Sequence, residues 1–481
     1  MTDVEVVGSG PNGLAAAVTL ARAGLSVRVY ERMSGWGGGA ATREDVAAGF
    51  HHDTCSAVHP LAVASPFFRA FGLARRVEFL TPEISFAHPL PASAGGSGIA
   101  YRDLDRTVAE LGRDGGAYRR LLEPLADRAR EIARVTGSSL LRVPPHPIVT
   151  ARFGVRALWQ GGPAWNAGFS GEVAPAMITG VAAHAISPQP GLIGAAAGLA
   201  LQAHAHAGGW PIPRGGSQAI SDALAADLRA HGGEIVTDHE VSSLGELTAR
   251  VLILDVTPRA LIRLAGARMP DGYRHRLERF RYGSGAAKVQ FALSGPVPWS
   301  DERLARAGTV HIGGTRARIA AGERDVLAGR HTASPYVLVS QPSVLDPTRA
   351  PDGGHALWTY THVPTGSTLD QTEIVTRTIE ELAPGFRDLI VASRGTTAAQ
   401  LAEQNPNYVD GDIAAGAATL RQLVARPVLS LDPWRTPMPG VYLTGASTVP
   451  GPGVHGQSGW FAARSALRHE FGIRRTPSLA P

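Results

Sequence analysis

Residues 8 to 13 read Gly8-Ser9-Gly10-Pro11-Asn12-Gly13, and what flanks them leaves few folds open. Before them, Val4-Glu5-Val6-Val7 is β-branched and almost uncharged, the pattern of a short buried strand. After them, the Ala/Leu-rich run Leu14 to Ala23 predicts a helix that Gly24 ends in a left-handed cap. Ser26-Val27-Arg28-Val29-Tyr30 predicts a second strand, which runs into Glu31. Strand, glycine turn, helix, strand and acid in this order form a dinucleotide-binding fingerprint. Gly8 permits the tight turn, Gly10 lets a pyrophosphate approach the backbone, and Gly13 lets the helix pack closely on the sheet. Pro11 and Asn12 sit at the helix start, whose free N–H groups and partial positive charge favour phosphate. Glu31 lies eighteen residues past Gly13, where a carboxylate reaches a ribose hydroxyl.

The next residues say which dinucleotide. Arg32-Met33-Ser34-Gly35-Trp36 leads to Gly37-Gly38-Gly39, six to eight residues past the acid. A nicotinamide enzyme normally enters another crossover helix here. A second glycine cluster instead predicts a second backbone approach to the same ligand, which fits a long extended cofactor such as FAD.

At 481 residues the chain is too long for one ordinary core, so two domains or a discontinuous pair are expected. Apolar residues make up 44% and charged ones only 18%, the balance of a large globular protein. The net charge of +5 comes from arginine spread thinly along the chain. No basic run stands out, so nucleic acid is not an expected partner. Weak peripheral contact with an anionic membrane stays open. The single cysteine, Cys55, excludes an internal disulfide or a CxxC redox pair. Met1-Thr2-Asp3 leads straight into the first strand, so a cytoplasmic location is expected. The loop Phe50 to Pro60 gathers His51, His52, Cys55 and His59, but its spacing matches no metal motif, and no metal is expected.

Farther along, Ser65 to Leu73 predicts a short helix, and Arg106 to Thr136 a helix that Gly115-Gly116 can divide. From Ala157 to Pro213 the only formal charge is Glu172. Val173 to Leu201 carries none, a length that reaches across a bilayer, but Pro175, His184, Pro188, Gln189 and Pro190 interrupt it. Buried helices beside an apolar cavity are the favoured reading. Pro213-Arg214-Gly215-Gly216-Ser217 opens an amphipathic helix, Gln218 to His231, followed by strands at Glu234 to Thr237 and Val251 to Val256. These return to the first sheet. Arg281 to Leu293 and Tyr336 to Thr361 alternate like antiparallel strands, and Glu373 to Leu382 predicts a helix. Near the end, Val441-Tyr442-Leu443-Thr444 is a strand stopped by Gly445-Ala446. Val449-Pro450-Gly451-Pro452-Gly453-Val454-His455-Gly456 then opens a helix from Gln457 to Phe471. Such a helix start favours the negative charge that builds on a reduced flavin.

These motifs together resemble the phytoene desaturase and carotenoid isomerase-related flavoproteins, within the wider amine oxidase-like FAD fold. The resemblance runs end to end and is weakest between 86 and 205. It implies an α/β fold: a discontinuous Rossmann-type FAD-binding domain (1–85, 206–270 and 425–481), with an α+β substrate domain of antiparallel sheet and helices (86–205 and 271–424). It implies non-covalent FAD. Gly8, Gly10, Pro11, Asn12 and Gly13 would then hold the pyrophosphate, and Glu31 and Arg32 the adenosine side. Gly38 and Gly39 would flank the cofactor, and the Val241 backbone would meet adenine. Gly445, Ala446, Gly453 and Val454 would line the flavin end. Members often carry three consecutive glycines after the proline; here Pro452 replaces the middle one and removes a donor.

The function this implies is dehydrogenation or desaturation of an apolar, polyprenoid or lipid-like substrate, with hydride passing to the flavin. Oxygen and a quinone are both open as acceptor. Redox-neutral double-bond isomerisation, amine oxidation and a non-enzymatic binding role are the alternatives. No acid–base dyad stands out, and His59 and His455 are the side chains expected near the ring, more as packing than as catalysts.

Overall fold

The computed structural model describes residues 2–481. The chain leaves one sheet and returns to it twice. β1 (Val4–Val7) and β2 (Val27–Tyr30) flank α1 (Pro11–Ala21). α1 begins three residues earlier than the apolar run suggests, because Pro11 is preset for the first helical position. It ends at Ala21, where Gly24 (φ +86°) donates to the Ala21 carbonyl and Leu25 to that of Leu20, a left-handed cap.

The chain then enters a second sheet through the hairpin β3 (Ile84–His88) and β4 (Gly98–Tyr101). The region 106–136 is not one divided helix. It is a short helix to Glu110 and a 3₁₀ turn, then α2 (Gly115–Ala126) and α3 (Ala129–Thr136). α4 (Pro147–Gln160), α5 (Val173–Ala182) and α6 (Leu192–Ala207) follow. The return leg is α7 (Gln218–Ala230), β5 (Glu234–Val236) and β6 (Val251–Asp255). The chain crosses again for β7 (Gly285–Leu293), β8 (Thr309–Ile312), α8 (Arg316–Leu327), β9 (Val337–Ser340), β10 (His355–Val363) and β11 (Ile390–Thr396). β12 (Val441–Thr444) and α9 (Gln457–Glu470) close the first sheet.

That first sheet is wholly parallel, in the order β12-β6-β1-β2-β5. Its central strand pairs Val6 with Val29 on one side and with Ile253 on the other, so strands far apart in sequence meet in one core. The second sheet runs β11-β7-β10-β9-β8-β3-β4 and is antiparallel except where β8 meets β3. This is a mixed α/β architecture, a parallel Rossmann-like sheet beside a separate and mostly antiparallel one.

Composition now has a physical reason. α1 is buried from Asn12 to Ala21 because the sheet covers one side and α9 the other. A side chain at Gly459 would collide with the Asn12 carbonyl, so only a Gly/Ala contact allows this approach. The charge-free stretch 173–201 is two helices, with a turn through Ile186 to Gly191 between them. α5 is buried over Ala174–Ala182 and lies against the second sheet, where a Cβ at Gly180 would stand 2.7 Å from His88 Nδ1. Charge is missing there because α5 has little contact with water. Among the described residues no helix is long and apolar enough to cross a membrane.

Candidate functional site

Three glycine turns from three parts of the chain converge on one point at the carboxyl ends of β1, β6 and β12. Gly8 (φ +95°) turns sharply out of β1 and its N–H donates to the Tyr30 carbonyl at 2.8 Å. The second cluster folds back on the first: the Gly37 N–H donates to the Ser9 carbonyl at 3.1 Å, and a Cβ at Gly38 would lie 3.2 Å from the Gly10 Cα. The third arrives from the C-terminus. A Cβ at Gly445 would come to 2.5 Å from Asp255 Oδ1, and one at Gly10 to 2.8 Å from Asp255 Oδ2. A side chain at any of these positions would be forced against Asp255 or Gly10.

The predicted residues divide into groups. Gly8, Gly10, Pro11, Asn12, Gly13, Gly38 and Gly445 form the cradle itself. Asn12 Oδ1 is buried there without a hydrogen-bond partner. Glu31, buried at the end of β2, accepts from the Ser9 N–H (3.1 Å), the Ser9 hydroxyl (2.6 Å) and the Met33 N–H (2.9 Å). The segment leading to Val241 runs beside it, with the His239 N–H on the Glu31 carbonyl at 2.9 Å. Val241 itself is buried next to Val7 and Leu244. Arg32 is exposed. Gly39 packs against the Tyr408 hydroxyl and Cys55. Ala446 offers its carbonyl to Arg426 Nε at 2.8 Å. Gly453 (φ +130°) faces Leu61 and His455, while Val454 packs into the core around α1.

Both histidines singled out from sequence are bound into structure. His455 accepts from the Gln457 N–H at Nδ1 (3.1 Å), which leaves the proton on Nε2 to donate to the Gly451 carbonyl (3.0 Å). It braces the 451–456 loop. His59 Nε2 meets the Ser217 hydroxyl at 2.7 Å, and that hydroxyl donates to the Ser56 carbonyl at 2.5 Å. Burial lowers both imidazoles to about 4, so each is neutral. The other histidines of that loop diverge: His52 Nε2 lies on the Phe291 carbonyl at 3.0 Å, away from His59.

Three features were not anticipated. Asp255, the last residue of β6, holds its Oδ2 2.8 Å from the Gly13 N–H. Burial pushes this carboxyl up to about 7; the Gly13 N–H opposes the rise and the neighbouring Glu31 adds to it. An acidic residue ending a buried strand was the available signal. The second feature is Lys288, the only lysine in the chain. Buried on β7, it donates to the Thr54 carbonyl at 2.7 Å, and the Thr54 hydroxyl donates to the Gly38 carbonyl at 3.2 Å. Burial lowers its ammonium below the ordinary value, partly offset by Cys55 and Asp45. A lone lysine in an apolar strand pattern was its signal. Burial pushes the Cys55 thiol up, so it is a neutral thiol and not a reactive thiolate.

The third is a wall of rings on the second sheet, joined to the cradle by Ala57 and Tyr408. Trp358, Tyr360 and His362 share one face of β10, with neighbouring rings 5.5 and 5.6 Å apart. Tyr336 stands 5.1 Å from His362 and 6.0 Å from His311. His311 and His184 touch through their Nε2 atoms at 3.0 Å, with Trp210 over both. Burial keeps His88, His184 and His311 neutral. One acid stands at this wall: Glu323, which pairs with His362 Nδ1 at 2.6 Å and leaves Oε2 unpartnered.

Known proteins share the fold and the N-terminal motif. Residues 6–71 match the family described as NAD(P)-binding Rossmann-like domain. The rat pyridine nucleotide-disulfide oxidoreductase domain-containing protein 2 is 26% identical across 97% of this chain and 93% of its own length. An uncharacterized protein of Mycobacterium tuberculosis is 29% identical across 68% of this chain and 66% of its own. Among solved structures, an oxidoreductase from Methanosarcina mazei superposes with a TM-score of 0.59 at 17% identity, covering 97% of this chain and 99% of that one. Cyclohexylamine oxidase from Brevibacterium oxydans does so with a TM-score of 0.59 at 15% identity, covering 97% of each chain.

Proposed function

We propose that this chain is an FAD-dependent oxidoreductase acting on an apolar substrate, as a dehydrogenase or desaturase. The observation that carries the cofactor is the meeting of the first and third glycine turns at Asp255, with the second turn folded back on the first, so closely that a Cβ at Gly10, Gly38 or Gly445 would press on Asp255 or Gly10. The orphaned Asn12 Oδ1 adds a polar atom that lacks a partner within the protein. Gly8, Gly10, Asn12 and Gly13 would hold the pyrophosphate, with the N-terminus of α1 facing it. Glu31 would take a ribose hydroxyl, Gly38 and Gly39 would lie alongside, and Gly445, Ala446, Gly453 and Val454 would meet the flavin end. FAD bound there supplies the redox step, accepting a hydride equivalent from a substrate C–H bond.

The chain's own residues orient the reactants and exclude water. The ring wall supports an apolar substrate: burial keeps His184 and His311 neutral there, and the rings of Tyr336, Trp358 and Tyr360 supply aromatic carbon. Lys288 holds its proton at Nζ against the Thr54 carbonyl, beside the cradle, and favours electron density arriving there. The lone Cys55 leaves no partner for disulfide chemistry within the chain, whatever the name of the rat relative.

Amine oxidation is the second reading, and one feature favours it. Glu323 Oε2 is a buried, unpartnered acceptor among aromatic rings, a setting that suits an ammonium group. Anaerobic bleaching of the bound flavin separates the two. Polyprenoids or lipids are expected to bleach it and amines are not. Bleaching by amines alone overturns the apolar reading. Double-bond migration without consumption of an acceptor would make the enzyme an isomerase.

A further inference from the structure

The helix just before the charge-free stretch carries apolar residues on both of its faces. Phe153, Ala157 and Gln160 of α4 turn inward, and the first two join the core with α2 and α6. The opposite face carries Ile148, Val155, Leu158 and Trp159, exposed by 70%, 66%, 63% and 39%. With Ala151 and Arg152 these recur three and four residues apart, so they form one continuous strip facing water. The preceding loop extends it with Leu140 (51% exposed) and Val143 (89%). An ordinary surface helix keeps one apolar stripe and turns it to the core. A patch of this kind marks an interaction site.

Charge tells what covers it. Between Glu131 and Glu172 there is no acidic residue, and the formal charges are Arg134, Arg142, Arg152 and Arg156. Arg142 links the strip to a second basic feature. Its guanidinium donates to the Leu431 carbonyl at 2.9 Å and lies 5.8 Å from the Trp434 ring. It forms one wall of a cleft of about 310 Å³ that also holds Arg464, Arg468 and Arg474. Asp432 is the only acid lining the cleft, and it is engaged by the Ser465 hydroxyl. Leu431, which also lines the cleft, is exposed. Burial, and after it the nearby Arg142, lowers the Arg464 guanidinium.

We propose that this face, α4 with the 140–146 loop and the arginine cleft, seats the protein on an anionic lipid bilayer. The apolar strip enters the headgroup–acyl boundary, and the arginines pair with lipid phosphates. The helix lies along the interface and does not cross it, consistent with the absence of a spanning helix among the described residues. A second copy of the chain is a poorer occupant: a two-fold pairing of this face would bring arginines against arginines. The charge-free helices α5 and α6 lie inside, as the sequence favours, and the arginine-bearing helix before them lies outside.

Vesicle flotation tests it with the purified, flavin-loaded protein. Vesicles of phosphatidylcholine containing about 30% phosphatidylglycerol should float about tenfold more protein than phosphatidylcholine alone, and high salt should reduce the difference. Val155→Asp combined with Leu158→Asp should lower flotation about tenfold, with flavin content and thermal melt unchanged, since both side chains are exposed. Arg142→Glu with Arg464→Glu should remove the preference for phosphatidylglycerol. Equal flotation with both vesicle types, no flotation, or full flotation of the Val155/Leu158 variant would overturn the proposal. So would a wild-type dimer in solution that the same variant converts to monomer.

Discussion

Replacing Asp255 by asparagine removes the buried ionisable group against which the first and third glycine turns pack. Asn keeps an oxygen for the Gly13 N–H and cannot ionise. In the folded protein the Asp255 carboxyl titrates near 7, against an ordinary 3.8. The folded state therefore holds this proton where the unfolded chain has lost it. Stability falls as pH rises from about 3.8, by about 1.4 kcal/mol per pH unit. The loss is complete once pH passes about 7, where it amounts to about 4 kcal/mol. The stability difference between Asp255→Asn and wild type should thus grow by about 2–3 kcal/mol from pH 5 to pH 7 and then level off. The groups facing Asp255 are Glu31 from β2 and Tyr408 from the 405–411 segment, and neither adds a compensating positive charge. A pyrophosphate in the same cradle further favours the protonated acid. FAD affinity of the wild-type apoprotein should therefore fall above pH 7, approaching tenfold per pH unit, while the variant stays flat. Urea unfolding of the apoprotein and flavin fluorescence titration across pH 5 to 9 measure both effects. Parallel pH profiles for the two proteins would refute the reasoning.

Other outcomes follow from the same contacts. Gly13→Ala puts a Cβ into the Gly8 carbonyl, and Gly10→Val fills the space beside Asp255; both should purify without flavin and fail to take it up on reconstitution. Gly459→Ala should force α9 away from α1 and lower the melting temperature by several degrees, read by circular dichroism. Arg349→Ala strands Asp53, whose fully buried partner Arg349 lies at 2.8 Å, and should cost about 3–5 kcal/mol in urea unfolding. Burial opposes ionisation of Asp53, but Arg349, the Ser217 N–H and the Thr42 hydroxyl outweigh it and hold its carboxyl below the ordinary range. That pair's stability should persist at neutral pH and be lost as pH falls through the lowered value. His59 and His455 titrate near 4, so the pH profile of turnover between 6 and 8 should keep its shape in His455→Gln.

The first sheet and its cradle were legible because their chemistry is local. Gly8 to Gly13, Glu31 and Gly37 to Gly39 lie within thirty-odd residues, and each glycine answers a nearby steric demand. The late strand Val441–Thr444 was legible for the same reason, with Gly445 at its end. The stretch 173–201 was harder, since absence of charge looks alike in a buried helix and in a membrane span. Only packing against β3 and β8 separates the two. The ring wall was not legible. Trp358, Tyr360 and His362 share a face, but Tyr336, His311, His184 and Trp210 come from other elements, and only tertiary packing of helix and loop against the sheet unites them. Asp255 and Lys288 were visible as residues. Their meaning depends on partners far away in sequence, Gly13 and Thr54, which no periodicity reveals.

The most direct test of the account is equilibrium binding of FAD to the purified apoprotein, followed by the isoalloxazine absorption band. One FAD per chain should bind to wild type, with none retained by Gly10→Val. A wild-type protein that takes up no flavin, or a Gly10→Val variant that binds it equally well, would contradict the claim that the two ends of this chain meet to hold it.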